Sequence, residues 1–124
     1  MKSDYMTQKR EKLVDLLTEG YFEKDEAKCL LYIADNEDIE SKEIEYKLLL
    51  RQPEVSVALQ ELSDKDIIEV GEENKEGRGR PVKIYNLKRP IDEIINDVVE
   101  DIEENIKELK NKKKELQELS QDLL

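Results

Sequence analysis

The apolar positions in the first half of the chain recur every three to four residues, which is the period of an amphipathic helix. Three such runs predict helices over residues 4–19, over residues 23–35, and from a cap at Ser41 to just before Leu50. Gly20 is placed to end the first of them. The apolar positions behind this prediction are Leu13, Leu16, Leu17, Ala27, Leu30, Leu31, Ala34, Ile44 and Leu48, with Tyr46 and Leu49 as further candidates.

A proline separates the third apolar run from a fourth. Pro53 has no N–H and disfavours helix in the residue before it, so it suits the first position of a new helix, with Gln52 beside the cap. Val55, Leu59 and Leu62 form an i, i+4, i+7 stripe after it. The pattern therefore predicts a fourth helix over residues 53–65.

The pattern changes to a two-residue period in the next segment. Residues 67–70 are short, β-branched and apolar, and residues 82–87 alternate between two faces. A long loop that contains glycine joins them, which predicts a β-hairpin with a functional loop. Pro90 then begins a final helix that runs to Leu124.

The final helix carries a heptad repeat, which favours a coiled coil. One row is Ile95, Ile102, Leu109, Leu116 and Leu123, and it pairs either with Ile91, Val98, Asn105, Lys112 and Leu119 or with Val99, Ile106, Lys113 and Ser120. Both registers meet polar side chains at residues 110–114, where the helix could bend. An apolar stripe on a lone helix predicts burial against a second copy, the alternative being packing on the first helix. The predicted dimerisation residues are Ile91, Ile95, Val98, Ile102, Ile106, Leu109, Leu116, Leu119 and Leu123.

Composition narrows the possible chemistry. The chain of 124 residues has no histidine and one cysteine, which excludes a metal site built on imidazole or several thiolates within one chain. We expect no enzyme activity, no metal and no cofactor, and we interpret Cys29 as a core residue. We find no apolar run long enough to span a membrane and no apolar signal core at the N-terminus, so the sequence is typical of a cytoplasmic protein.

The net charge of −11 argues at first against nucleic acid as a partner. The charge is unevenly distributed, however, because residues 74–89 carry six bases and one acid, a net charge of +5. A strongly basic segment therefore lies within an acidic chain.

The order of helix, helix, turn, helix, strand, basic loop and strand resembles the winged helix-turn-helix regulators of the MarR, ArsR and TrmB group. Residues 52–59 (QPEVSVAL) are similar to the start of their recognition helix, and residues 62–70 (LSDKDIIEV) to its exit, except that Asp66 replaces the usual glycine. Residues 77–87 (GRGRPVKIYNL) resemble the wing of archaeal members. The resemblance covers residues 21–88.

This resemblance implies a mainly α fold with a small β-hairpin (α+β), followed by a long, coiled-coil-like C-terminal helix. Residues 1–89 would form a winged helix-turn-helix domain, with a recognition helix at 53–65 and a wing at 67–88, and residues 90–124 a dimerisation helix.

The residue types at these positions suit double-stranded DNA. Amide, hydroxyl, carboxylate and apolar side chains can read base edges from a recognition helix, and arginine and lysine in a wing can reach phosphates or the minor groove. The alternative is that Val57 is a core residue while Gln52 and Ser56 only cap the helix. The predicted DNA-binding residues are Lys42, Arg51, Gln52, Glu54, Ser56, Val57, Gln60, Arg78, Arg80 and Lys83.

The resemblance then implies a sequence-specific transcriptional regulator, with repression the commoner outcome, that binds a palindromic operator as a homodimer. A winged-helix module that docks on a basic protein partner in the transcription machinery is the alternative. A basic wing on the same face as Gln52 and Ser56 would favour DNA. The sequence identifies no small-molecule effector.

Overall fold

The computed structural model describes residues 4–74 and 79–124, with side chains from residue 8 onward. The chain divides into two compact units, Met1–Ile91 and Asp92–Leu124. The described residues form five helices and a two-stranded hairpin, which confirms the predicted α+β fold class. The elements are α1 (Asp4–Leu17), α2 (Lys24–Asp35), α3 (Ser41–Leu48), α4 (Gln52–Asp64), β1 (Ile68–Glu73), β2 (Val82–Leu87) and α5 (Ile91–Gln121).

The first unit has an aliphatic core. Leu30 and Ile33 of α2, Ile44 of α3 and Leu62 of α4 are among its largest fully buried side chains. The α1 face differs from the prediction, because Val14 and Leu17 are buried while Leu16 is half exposed. The other buried apolar residues of this unit are Ala27, Cys29, Leu31, Ile39, Val55, Ala58, Leu59, Ile67 and Ile68.

Helix α3 begins and ends differently from the prediction. Its N-cap is Glu40. Ser41 is the first residue of the helix, and its hydroxyl does not cap the helix. The side chains of Tyr46 and Leu49 are exposed, although the sequence offered both as candidates for the apolar face of α3. Leu49 is the C-cap in the left-handed conformation at φ 55°, which turns its side chain away from the core.

The hairpin is antiparallel and longer than predicted. β1 begins at Ile68, opposite Leu87, and extends to Glu73, opposite Val82. The backbone of Ile39 adds a bridge to β2, since its N–H donates to the carbonyl of Tyr85 (3.1 Å) and its carbonyl accepts from the N–H of Tyr85 (2.8 Å). The link after α2 is therefore tied to the hairpin, which the sequence pattern did not predict.

Asp66 occupies the turn between α4 and β1 at φ 63°. This left-handed conformation is the one that glycine adopts without steric cost, and aspartate tolerates it better than most residues. The Nζ atom of Lys88 donates to Asp66 Oδ1 at 2.6 Å. The side chain of Asp66 thus bonds the residue that follows β2 to this turn.

The second unit is the helical segment after Ile91. α5 is continuous from Ile91 to Gln121 and passes without a break through residues 110–114. From Val99 onward its residues are exposed, including Ile102, Ile106 and Leu109. This exposed stripe is the face for which the sequence predicts a partner.

Candidate nucleic-acid interface

The N-terminus of α4 is fixed by a local hydrogen bond. Arg51 is the N-cap, and its backbone N–H donates to Glu54 Oε1 at 2.9 Å. The helix begins one residue earlier than predicted, so Gln52 is its first residue and Pro53 its second. Proline fits there because the N–H groups of the first turn have no partner within the helix.

A groove of about 300 Å³ runs between α4 and the hairpin. Three predicted DNA-binding residues from α4, namely Gln52, Ser56 and Gln60, line it together with Lys83 of β2. The remaining lining residues are Ser41, Glu45, Leu59, Ser63, Val70 and Tyr85. The fold thus brings together Gln52 and Lys83, which lie 31 positions apart in the chain.

The groove is rich in hydrogen-bonding groups and poor in charge. Its lining holds one base, Lys83, and one acid, Glu45. Gln60 already donates from Nε2 to Asp64 Oδ1 at 2.9 Å, which orients its amide along the helix. Amide and hydroxyl groups of this kind suit base edges or phosphate oxygens more than they suit a metal ion.

Val57 and Glu54 lie on the other flank of α4. They line a second depression with Glu23 and Glu26 at the start of α2 and with Glu61. Val57 is 58 % exposed, so it is not a core residue. The carboxylate of Glu54 is engaged by the backbone of Arg51 and lies 3.4 Å from its Nε. The structure therefore separates these two residues from the groove.

The wing presents a mixed charge. Glu72 of β1 pairs in register with Lys83, and Arg80 is exposed just before β2. Gly79 adopts φ 60° with no heavy atom near its absent Cβ, so the chain turns there at no steric cost. Arg78 lies outside the described residues.

Two more predicted cations are solvent exposed. Lys42 lies in the first turn of α3, and the side chain of Arg51 extends from the cap of α4. Neither lines the groove between α4 and the hairpin. Lys42 extends from the start of α3 and Arg51 from the turn before α4, and both side chains are long enough to contact a phosphate.

An ion pair with one buried partner holds α4 against α2. Glu26 is 1 % exposed, and its Oε2 lies 2.6 Å from Nζ of Lys65, the C-cap of α4. Its Oε1 accepts the backbone N–H of Glu23 at 3.0 Å. Lys65 also donates to the carbonyl of Tyr21 and lies over the ring of Phe22. This network fixes the C-terminal end of α4 against the start of α2.

Glu61 is close to the same network. Desolvation and the nearby charge of Glu26 raise its pKa above the usual value, while Lys65 acts in the opposite direction. Lys65 therefore bonds to Glu26 and also acts on the charge of Glu61.

Two groups tie α2 to its surroundings. The hydroxyl of Tyr32 donates to Glu43 Oε2 on α3 at 2.5 Å, and burial together with this bond raises the pKa of Tyr32 to about 12. Cys29 is fully buried, and desolvation raises the pKa of its thiol to about 12. The interpretation of Cys29 as a core residue is thus supported by its environment.

Sequence reasoning did not assign Ser41, Ser63 or Tyr85 to the interface. Ser41 was expected to cap a helix, and Ser63 follows an apolar stripe without any local signal. Tyr85 was within reach of prediction, because the alternation of β2 places it on the same side as Lys83. Burial raises the pKa of Tyr85, which keeps its phenol protonated.

Neither a metal site nor a membrane span is found in residues 4–74 and 79–124. No three or more Cys, Asp or Glu side chains there are grouped to hold a metal ion. None of the helices in these segments combines the length and apolarity needed to cross a bilayer.

Comparison with solved structures identifies the fold. TrmBL2, an archaeal chromatin protein that binds DNA, superposes with a TM-score of 0.59 at 22 % identity over 93 % of this chain. A possible transcriptional regulator from Methanosarcina mazei Go1 gives 0.54 at 22 % identity, covering 85 % of this chain and 87 % of its own. MepR from S. aureus, in complex with DNA, gives 0.53 at 18 % identity over 94 % of both chains.

This chain has a winged-helix fold. In this fold, α4 is the helix that precedes the β1–β2 hairpin. The chain spans 43 % of the length of TrmBL2. No protein-family model and no curated protein matches the sequence.

Proposed function

We propose that this winged-helix protein is a cytoplasmic, sequence-specific double-stranded DNA-binding transcriptional regulator of the archaeal TrmB-like type. It acts as a homodimer on a palindromic operator and represses by occupying it. The observation that carries the proposal is the groove in which Gln52, Ser56 and Gln60 of α4 lie beside Lys83 of the wing. Structural neighbours that bind DNA, TrmBL2 and MepR, support it.

The mechanism follows from the chemistry of this face. Gln52 can donate to and accept from an adenine edge, and Ser56 is short enough to allow close approach of the α4 backbone. Lys42, Arg51, Arg80 and Lys83 supply charge for phosphates, which sets the register of the helix in the major groove. Bases give specificity in this arrangement, and phosphates give affinity.

The acidic surroundings set the expected strength of binding. Each phosphate neutralised contributes about −0.9 to the slope of log K against log salt, so four cations per protomer predict a slope of roughly −7 for a dimer. Outside residues 74–89 the chain carries a net charge of −16, which repels DNA that does not lie on this narrow face. We therefore expect weak nonspecific binding.

The experiment is a fluorescence-anisotropy titration of a selected duplex at several salt concentrations. Lys83→Ala should weaken binding to all sequences and reduce the magnitude of the salt slope by roughly 2 for the dimer. Lys12→Ala, a matched loss of charge on α1, should change neither. Gln52→Ala should instead alter base preference at one position per half-site, by about 1–3 kcal/mol.

One observation favours a second candidate, a winged-helix module that docks on a basic protein. The depression beside Val57 and Ala58 is lined by Glu23, Asp25, Glu26, Glu54 and Glu61 against a single base, Lys24. An apolar floor with an acidic rim suits a basic peptide. This candidate replaces the DNA proposal if the titration shows no salt-dependent duplex binding and a lysine-rich peptide binds with a dependence on Glu54 and Glu61.

A further inference from the structure

The exposed stripe on α5 carries information about how two chains pair. This inference rests on the homodimer of the proposed function. The exposed large apolar residues of the helix and its C-terminal end are Val99, Ile102, Ile106, Leu109, Leu116, Leu119, Leu123 and Leu124. Val98 and Ile95 are only partly buried. A stripe of this length needs a partner helix of similar length.

Charge along α5 is strongly segregated. Residues 92–104 contain seven acids and no base, whereas residues 107–114 contain five lysines and one acid. A parallel pair would place the acidic segment beside itself and the lysine segment beside itself. An antiparallel pair can place the C-terminal part of the acidic segment beside the lysine segment of the partner.

We propose that α5 pairs antiparallel with α5 of a second copy, with residues 101–105 opposite residues 110–114 of the partner. The first of these segments has three acids and the second has four lysines. The centre of this pairing lies between residues 107 and 108, close to the middle of α5 (Ile91–Gln121). The two helices therefore overlap along nearly their whole length.

Two of the core layers of this pairing are wholly apolar. Ile106 faces the partner's Leu109, and Val99 faces the partner's Leu116. Each of these layers occurs twice because the pair is two-fold symmetric. Ile102 meets the stem of the partner's Lys113, which can extend its amine toward acids at the edge. Val98 and the partner's Leu119 flank the core and extend it.

The side chains that flank the core of the pair are compatible as well. Glu103 lies opposite the partner's Lys110, and Asn105 lies opposite the partner's Lys112. The rival antiparallel register, with Val98 rather than Val99 in the core, sets Asp101 against the partner's Glu115. It also sets Glu108 against its own copy. Like charges directly opposite destabilise a pair, so the Val99 register is favoured.

The pairing separates the points at which the two copies of α5 begin. Ile91 and the partner's Ile91 would lie about 50 Å apart along the paired helices at 1.5 Å per residue. A parallel pair would leave them roughly 10 Å apart. The direction of pairing therefore decides how far apart the two winged-helix units are attached.

Cysteine cross-linking tests the direction. In a Cys29→Ala background, the double variant Val99→Cys with Leu116→Cys should form a covalent dimer on oxidation. Residues 99 and 116 of one helix lie about 25 Å apart, so no bond can form within a chain. Each single variant should stay monomeric on a non-reducing gel. A parallel pair predicts instead that either single variant cross-links to its own copy, so the single variants decide the direction.

Charge reversal tests the register. Glu103→Lys or Lys110→Glu alone should weaken dimerisation by roughly tenfold in sedimentation equilibrium, and the two together should restore it. Glu100→Lys, which faces solvent in this register, is the matched control and should have little effect. Circular dichroism checks that each variant keeps its helix content.

The outcomes separate the two proposals. Cross-linking of either single cysteine variant, or failure of the charge pair to rescue, overturns the antiparallel register. A monomer in sedimentation overturns both this pairing and the homodimer. A dimer that cross-links as expected but binds no duplex leaves the pairing intact and refutes the DNA-binding function.

Discussion

Replacing Lys65 by methionine should destabilise the winged-helix unit by an amount that the structure sets. The change keeps most of the apolar stem and removes the ammonium that lies 2.6 Å from Glu26 Oε2. Glu26 is 1 % exposed, so its carboxylate cannot recover the lost partner from solvent without local opening. Glu61 loses the same cation, and the charge of Lys65 lowers the pKa of Glu61.

Removing one partner of a fully buried ion pair costs about 3–5 kcal/mol. The side chain of Lys65 is 42 % exposed, so solvent already weakens the pair, and we expect a loss of roughly 2–3 kcal/mol. For a domain of this size that corresponds to a fall in Tm of about 8–15 °C. Lys88→Met is the matched control, because Lys88 lies at the same 2.6 Å from Asp66 but that carboxylate is 75 % exposed. It should cost less than about 1 kcal/mol.

Urea unfolding at several pH values measures the loss of stability in Lys65→Met and in Lys88→Met. Loss of Lys65 removes the influence that lowers the pKa of Glu61, so this already raised pKa rises further and the resulting loss of stability is full at neutral pH. The deficit should shrink as the pH falls below about 5, where the unfolded carboxyls also begin to protonate. A deficit below about 0.5 kcal/mol at pH 7, or one that grows on acidification, would refute the role given to this ion pair.

Three further predictions concern single side chains. Cys29, whose pKa is raised to about 12 by burial, should not react with a disulfide reagent at pH 8 until the protein is unfolded in urea; rapid reaction of the native protein would contradict its place in the core. Tyr32→Phe removes the bond to Glu43 and should cost about 1–2 kcal/mol in urea unfolding, and an unchanged midpoint would argue against the bond. Leu49→Gly should stabilise by roughly 0.5–1 kcal/mol in thermal unfolding, because Leu49 is 89 % exposed at φ 55°; a lower Tm would show that its side chain contributes packing.

The sequence pattern predicted the type and order of all the described elements, because each apolar run has a clear period. It was less accurate where tertiary contacts decide. Val14 is buried in place of Leu16, since both fit a helical stripe and only packing against other elements selects one. Ser41 has the chemistry of a cap, yet the backbone of Glu40 takes that position.

The candidate site was predicted in part. Gln52, Ser56, Gln60 and Lys83 do line one groove. Glu54 and Val57 were expected beside them, but 100° of rotation per residue carries these two to the opposite flank of α4. The pairing of Ile39 with Tyr85 also escaped prediction, because a single bridging residue leaves no periodic signal.

The central claim is that the face formed by α4 and the wing reads duplex DNA as part of a dimer. Selection of bound duplexes from a random library with the purified protein, followed by footprinting of the enriched sites, tests it most directly. We expect an enriched inverted repeat, protected in both halves, with two chains bound per site. Recovery of no common sequence, or protection of a single asymmetric half-site by one chain, would contradict it.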